Sequence, residues 1–356
     1  MQKETAFFIE KLKEVINSKL PFVVYRKPNE KLVSIVVQTS NKLFYLDSFQ
    51  QKGFVFAPFN KNERKILFPA SNCEKFSATI QDMAELGNVN GNSIFEEPPN
   101  LIALKQQHIS LVEKAVQSIG DKKAEKIVVS RREDIQLNEF NVLNSYIKIL
   151  NNYPNAMVYC WFHPTIGCWM GASPERLINV AQNKFKTMAL AGTQPYQGTE
   201  NVIWKEKEKQ EQQFVTDYIL ETIKSSVTNI KVSNPYSIKA GNLLHIRTDI
   251  SGDLESDNSL EKLIDSLHPT PAICGLPKDI ATDFILQNEG YNRAYYAGYL
   301  GELYVENATN LFVNLRCMQI KDCISIYIGG GITKDSIPEK EWDETVVKSA
   351  VMKKVL

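Results

Sequence analysis

The first part of the chain combines one amphipathic segment with several short apolar runs. Phe8, Leu12, Val15 and Ile16 recur at helical spacing with charged residues opposite them, which predicts an N-terminal helix. Short apolar runs then alternate with polar turns. This pattern predicts a meander of four strands, at 22–25, 34–37, 43–46 and 54–57.

A linker-like stretch follows the meander. The sequence GNVNGNSIFEEPPN, at 87–100, is rich in turn-forming residues and has no apolar periodicity. We therefore predict a boundary there, with a variable N-terminal region over 1–100 and a second region over 101–356. We expect both regions to belong to the same globular unit.

The second region mixes helical and strand-like patterns without a strict alternation of the two. We predict helices at 101–118, 136–150, 201–226 and 338–355, and strands at 126–131, 156–162, 167–171, 176–180, 186–190, 243–250, 298–305, 311–320 and 323–328. The absence of a regular strand–helix rhythm favours an α+β fold, with layered β-sheets and helices packed on them.

Composition narrows the class of protein. Hydrophobic residues make up 43% and charged residues 23%, as in globular proteins, and Lys+Arg balances Asp+Glu at 41 each. A nucleic-acid partner is not expected, because proteins that bind nucleic acids usually carry an excess of basic residues. The six cysteines lack CxxC spacing, and no apolar run is long enough for a membrane span. We expect a reduced, cytoplasmic protein without a membrane partner.

Two helical carboxylate pairs are candidate metal ligands. Glu208 and Glu211 are three residues apart, as are Glu341 and Glu344, so each pair shares a helix face. Carboxylate oxygens are the ligands that Mg²⁺ prefers. By spacing alone, a solvated helix face is the commoner explanation of such pairs.

Two further motifs are ambiguous when each is taken by itself. The glycines at 329–331 follow an apolar strand and could let backbone amides approach an anion, although a turn is the commoner role. Lys126 opens another apolar strand and could act as a base or simply extend to solvent. The four histidines lack HExxH spacing and no GxSxG is present, so zinc and serine hydrolases are unsupported.

The order of these motifs along the chain resembles that of the chorismate-utilising enzymes, which include isochorismate, salicylate, anthranilate and aminodeoxychorismate synthases. The matching segments are KIVVSR (126–131), GASPERL (171–177), ALAGTQP (189–195), EKEKQEQQFVTDYI (206–219), LLHIRTDISG (243–252), LHPTPAICGLPKDIA (267–281), NEGYNRAYYAGYLG (288–301), NLRC (314–317) and GGGITKDSIPEKEWDETVVKSA (329–350). They place the chorismate-binding catalytic domain in 101–356.

The resemblance implies a role for each matching residue. Lys126 matches the family's general base and Glu175 its general acid. Glu211 and Glu344 match the Mg²⁺ ligands, and Glu208 and Glu341 would act through water. The residues that would bind chorismate are Gly192, Thr193, Ala272, Tyr296, Arg316, Gly329 and Lys348.

Three positions separate members of the family. At the position of Lys126, isochorismate and salicylate synthases also resemble one another in carrying lysine. Ala191 replaces the nucleophilic lysine of aminodeoxychorismate synthases. Ala272 stands where pyruvate-releasing members tend to carry Thr. Together they imply an isochorismate synthase. The resemblance also implies a monomer, as relatives often are, and the intact residues for water chemistry imply that no glutaminase subunit is needed. Salicylate synthase and a glutaminase-partnered anthranilate-type component remain the alternatives. The product would feed menaquinone or siderophore synthesis. Gln212 and Gly330 depart from the family's usual His and Ala.

Overall fold

Seven α-helices and eighteen β-strands make up the described part of the chain. The structure is a computed structural model and describes residues 2–80, 100–136, 140–240, 243–255 and 259–356. The helices are α1 Gln2–Ser18, α2 Leu101–Gly120, α3 Val142–Asn152, α4 Glu206–Ile223, α5 Ser259–Leu267, α6 Lys278–Asn288 and α7 Pro338–Lys353. The predicted linker at 87–100 lies outside the described residues except for Asn100, so the boundary stays a prediction.

The strands form two large sheets in which every pairing is antiparallel. The first sheet runs in the order β14 Gly275–Leu276, β6 Lys126–Ile135, β18 Ile324–Ile332, β17 Cys317–Ile320, β8 Gly167–Ser173, β7 Met157–His163, β1 Phe22–Arg26, β2 Leu32–Gln38 and β5 Cys73–Thr79. The second runs in the order β11 Val227–Val232, β13 Leu243–Leu254, β10 Lys184–Pro195, β9 Arg176–Ala181, β16 Ala308–Val313, β15 Tyr299–Val305, β3 Gly53–Ala57 and β4 Ile66–Pro69, and β12 Tyr236–Ala240 also pairs with β13. These sheets and their helices confirm the α+β class.

Strands from the first hundred residues belong to both sheets. β1 pairs with β7 in the first sheet, where Val23 lies opposite Trp161, and β3 pairs with β15 in the second. Aromatic packing then joins the sheets, since Phe56 of β3 stacks on Trp161 of β7 with ring centroids 4.6 Å apart. A second buried cluster packs α1, α3 and α7 on the other face of the first sheet. The N-terminal strands are therefore part of the same layers that carry the later motifs.

Within the described residues the chain passes between the sheets six times, and two of these crossings carry predicted site residues. β8 of the first sheet is followed by β9 of the second, with Pro174 and Glu175 between them. β16 of the second sheet is followed by β17 of the first, and Arg316 at this break has φ 48°. The prediction of one continuous strand over 311–320 was wrong, because a left-handed residue interrupts the extended backbone.

Other element predictions differ at identifiable places. The predicted strand at 43–46 was wrong, since only Tyr45 forms an isolated bridge, to Ile66. α3 begins at Val142, because the Asn141 side chain accepts a hydrogen bond from the Asn144 amide and caps the helix there. Within the described residues, no helix is long and apolar enough to cross a membrane.

Candidate active site

The predicted site residues come together where the two sheets meet α4 and α7. All of them except Lys126 and Glu341 line a single cavity, namely Glu175, Gly192, Thr193, Glu208, Glu211, Ala272, Tyr296, Arg316, Gly329, Glu344 and Lys348. Lys126 and Glu341 do not line the cavity, but each forms a hydrogen bond with a residue that does, Glu211 and Lys207 respectively. Predicted residues as far apart in sequence as Glu175 and Lys348 therefore share one pocket.

The Lys126 ammonium lies between the glycine strand and α4. Its Nζ atom donates to Glu211 Oε1 at 2.8 Å, and its side chain is 1% exposed. The pairing of β6 with β18 brings Gly331 beside this ion pair. A Cβ atom at Gly331 would lie 2.8 Å from Glu211 Oε1 and 3.0 Å from Lys126 Cε, so only glycine fits there.

Glu175 is buried where the chain crosses from β8 of the first sheet to β9 of the second. Burial raises the pKa of this carboxyl to about 8, although Lys126 acts to lower it. The side chain is 4% exposed, and its own backbone carbonyl accepts from the Val313 amide at 3.0 Å. Glu175 therefore keeps its proton at neutral pH and can donate it inside the cavity.

The four candidate metal ligands lie on α4 and α7, and three of them contact lysines. Glu211 pairs with Lys126, Lys207 Nζ donates to Glu341 Oε1 at 3.2 Å, and Lys348 Nζ lies 2.7 Å from Glu344 Oε1. The fourth, Glu208, has a buried Oε2 atom without a hydrogen-bond partner. As arranged, the described residues contain no group of three or more His, Cys, Asp or Glu side chains close enough to hold a metal ion. The metal assignment stays a prediction.

His245, which was not among the predicted site residues, lines the same cavity. Arg316 can only donate, and its NH2 atom lies 2.8 Å from His245 Nε2, so Nε2 must accept. His245 Nδ1 then carries the proton and donates to the Gly192 carbonyl at 2.9 Å. Burial, with the nearby Arg316, lowers the pKa of His245 to about 3, so the ring is neutral. The sequence signal for His245 was its place in the matching segment LLHIRTDISG, where it alternates with the apolar residues Leu244 and Ile246.

The backbone is irregular where substrate contacts are predicted. Between Ala191 and Gln194, β10 has two residues opposite one of β13, which is a β-bulge. Gly192 in the bulge has φ 69°, a conformation that favours glycine. The bulge removes Gly192 and Thr193 from the regular ladder, and the Gly192 carbonyl accepts from the His245 ring instead of from β13 backbone.

Aromatic rings form the wall beside the glycine strand. Tyr296 stacks on Tyr327 at 5.4 Å, and Tyr327 stacks in turn on Trp169 at 5.2 Å. A Cβ atom at Gly329 would lie 2.6 Å from the Tyr296 hydroxyl, so glycine is needed here too. The Gly329 carbonyl accepts from Lys348 Nζ at 3.0 Å.

A buried ion pair, Glu289 with Arg293, fixes the opposite side of this wall. Arg293 donates to the carbonyls of Val128 and Ile273, at 2.8 and 2.9 Å, next to Ala272. Glu289 accepts from the amide of Ser130 at 2.7 Å. The pair thus connects β6 to the loop that carries Ala272, a role that the sequence motif did not reveal.

This cavity combines a protonated carboxyl, cationic side chains and a carboxylate-rich helix face, and it suits an anionic substrate. A family profile described as Chorismate binding enzyme matches residues 64–356. The chain belongs to this family of chorismate-binding enzymes.

Individual relatives agree with the family. The chain is 26% identical to isochorismate synthase MenF of Escherichia coli K12 over 313 residues, which cover 83% of this chain and 70% of that protein. It is also 26% identical to isochorismate synthase EntC of the same organism, covering 83% and 78% of the two chains. The solved structure of E. coli MenF, described as the menaquinone-specific enzyme, has the same fold, with a TM-score of 0.79, 21% identity and coverage of 94% and 88%.

Proposed function

We propose that this protein converts chorismate to isochorismate with Mg²⁺ as its cofactor. The observation that carries the proposal is the raised pKa of Glu175, about 8, in a cavity that also contacts Lys126. In this isomerisation water adds at C2 of the ring, the C4 hydroxyl leaves as water and the ring double bonds shift. A protonated acid that stays neutral at pH 7 suits the departure of a poor leaving group.

Lys126 is the proposed base that removes a proton from the attacking water. Its distance of 2.8 Å from Glu211 describes an ion pair, in which the amine holds its own proton. Attack requires the neutral amine, so this contact has to be released before Lys126 can act. Glu175, in the connection between β8 and β9, would then serve as the acid, and Lys126, at the start of β6, as the base.

The two carboxylates of chorismate would contact different groups. Arg316 and Lys348 supply positive charge for the enolpyruvyl carboxylate, and His245 orients Arg316 through the bond at 2.8 Å. Burial lowers the pKa of Arg316 to about 10, which still leaves it charged at neutral pH. The substrate would also contact the backbone, at Gly192 and Thr193 in the bulge and at Gly329 in the glycine strand. Tyr296 and Ala272 would lie against the ring.

The carboxylates of α4 and α7 fit a magnesium ion. Their donors are all oxygen, and the buried, unpartnered Oε2 of Glu208 is an acceptor that a cation would satisfy. Glu341 and Glu344 both face the glycine strand, since a Cβ at Gly330 would lie 3.8 and 4.0 Å from their carboxylate oxygens. Bound there, Mg²⁺ would neutralise and orient the ring carboxylate. Glu211 and Glu344 are the proposed direct ligands, with Glu208 and Glu341 acting through water.

The proposal includes how the protein works in the cell. We propose a cytoplasmic monomer that needs no glutaminase subunit, because the residues for water chemistry are all present. The product would enter menaquinone or siderophore synthesis.

The decisive experiment is product analysis. The protein is incubated with chorismate and Mg²⁺, the products are separated by chromatography and identified by mass, and pyruvate is measured with a lactate-dehydrogenase assay. We expect isochorismate with little pyruvate. Stoichiometric pyruvate and salicylate would replace the proposal with salicylate synthase, and anthranilate formed on addition of ammonia would replace it with the aminating class.

A further inference from the structure

A second cavity, of 280 Å³, lies beside the candidate active site and is lined by three cations. Arg176 comes from β9, Lys239 from β12 and Arg247 from β13, and no Asp or Glu is among the described residues that line this cavity. Pro174 and Leu190 line both cavities and form the wall between them. The cationic lining indicates an anionic ligand.

Arg176 directly follows the proposed acid, but its side chain lines the other cavity. Its Nε atom is buried and has no hydrogen-bond partner, and no ion pair to Arg176 is found among the described residues. Its guanidinium lies 5.6 Å from the centre of the Phe312 ring. Burial, and then the proximity of Arg247, lowers the pKa of Arg176. The Nε donor of Arg176 is therefore available to a negative partner.

The other two cations leave room for that partner. Arg247 is engaged by Asp249, whose Oδ1 accepts from Arg247 Nε at 2.9 Å. The Lys239 ammonium lies over the face of Tyr196, with Nζ 3.9 Å from the ring centre, and no ion pair to it is found in the part of the chain that the structure describes. Asp249 and the exposed Glu30 offset part of the charge on Arg176 from outside the cavity. Arg176 and Lys239 therefore remain as the groups that a ligand would meet.

The remaining lining restricts the ligand further. Apolar surface beside the cations is provided by Phe312, Met188, Leu190 and Ile238. An inorganic ion would leave this surface unused, whereas an anion with an unsaturated or aromatic body would cover it. We propose that this second cavity is a binding site for a small organic carboxylate, with the carboxylate at Arg176 and Lys239 and the apolar body on Phe312 and Met188.

Titration with 4-fluorobenzoate, followed by ¹⁹F NMR, tests the proposal without turnover. We expect one binding site that persists in the Lys348→Ala variant, because Lys348 belongs to the other cavity. Arg176→Gln and Lys239→Ala should each weaken binding about tenfold or more, as expected for loss of a charge-assisted contact. Lys231→Ala, which removes an exposed cation from the neighbouring strand β11, is the matched control and should leave binding unchanged.

Two further results decide the interpretation. 4-Fluorobenzyl alcohol, which lacks the carboxylate, should not bind at the concentrations used. The proposal is overturned if the wild-type protein does not bind 4-fluorobenzoate, if the alcohol binds equally well, or if binding is lost in Lys348→Ala but kept in Lys239→Ala. If Arg176→Gln does not fold by circular dichroism, Lys239→Ala alone decides, because its side chain is half-buried at the cavity edge.

Discussion

Glu175 and Glu211 are carboxyl groups that interact with the same lysine, yet their pKa values move in opposite directions. Burial acts to raise both. At Glu211, the contact with Lys126 at 2.8 Å, helped by Lys348 and Lys207, outweighs burial and lowers the pKa. At Glu175 the influence of Lys126 is weaker, and burial dominates. Direct contact with a cation, rather than burial alone, therefore decides which carboxyl is charged.

The same contrast divides the cavity into two sides. The helix side carries three carboxyl groups paired with lysines, and a metal ion could replace a lysine there. The crossing side carries a neutral carboxyl, which suits proton donation. Variants on each side should consequently fail in different ways, and the following predictions proceed from the largest effect to the smallest.

Removing a carboxylate from the helix side should abolish turnover. Glu211→Ala loses a proposed Mg²⁺ ligand and leaves Lys126 without its partner, while the fold should persist because Glu211 is partly exposed. Isochorismate formation is measured by chromatography, with circular dichroism as the control for folding. A chelator in excess should produce the same loss in the wild-type protein. Full activity in the chelator would refute the metal assignment.

On the crossing side, Glu175→Gln should reduce the rate by about 10²–10⁴-fold, because the amide cannot donate a proton to the leaving hydroxyl. In the wild-type protein the rate should decline above about pH 8, where Glu175 loses its proton. A pH–rate profile without this decline would contradict its role as the acid.

Glu175 should also make stability depend on pH. Its pKa is about 8 in the folded protein, against an ordinary value of 4.5, so the folded state binds the proton more tightly. This contribution is complete below pH 4.5 and is lost as pH rises towards 8. Glu175→Gln should therefore become more stable relative to wild type as pH increases through that interval, as denaturant titrations would show.

The glycine strand offers a matched pair of variants. Gly331→Ala would place Cβ 2.8 Å from Glu211 Oε1 and displace the pair with Lys126, so we expect a rate loss of about 10²-fold. Gly330→Ala meets nothing closer than 3.8 Å and should retain activity within about twofold. Equal effects of the two substitutions in steady-state kinetics would show that the contact at Gly331 is unimportant.

The smallest expected effect concerns the choice of product. Ala272→Thr adds a hydroxyl beside the ring and should raise the fraction of pyruvate by about tenfold, which corresponds to about 1.4 kcal/mol between competing barriers. Parallel pyruvate and isochorismate assays measure the ratio. An unchanged ratio would mean that Ala272 does not select the product, and Ala272→Ser is the smaller comparison variant.

The sequence predicted those parts of the site that lie within regular elements. Glu208 with Glu211 and Glu341 with Glu344 were visible as helical pairs, and α4 and α7 do carry them. The strand break at Arg316 was not visible, because a left-handed residue in an otherwise apolar run depends on tertiary contacts. Lys207 and His245 were missed for a related reason, since their partners, Glu341 and Arg316, lie far away in sequence.

The crossings between the sheets also have a kinetic consequence. The hydrogen bond from Tyr25 to Glu302 spans 277 residues, and the contact of Lys126 with Glu211 spans 85. Contacts between such distant segments impose a large loop-closure cost before they stabilise the chain, and they slow folding. The cavity should consequently appear only in the final, cooperative stage of folding, so that partly folded chains do not sequester chorismate.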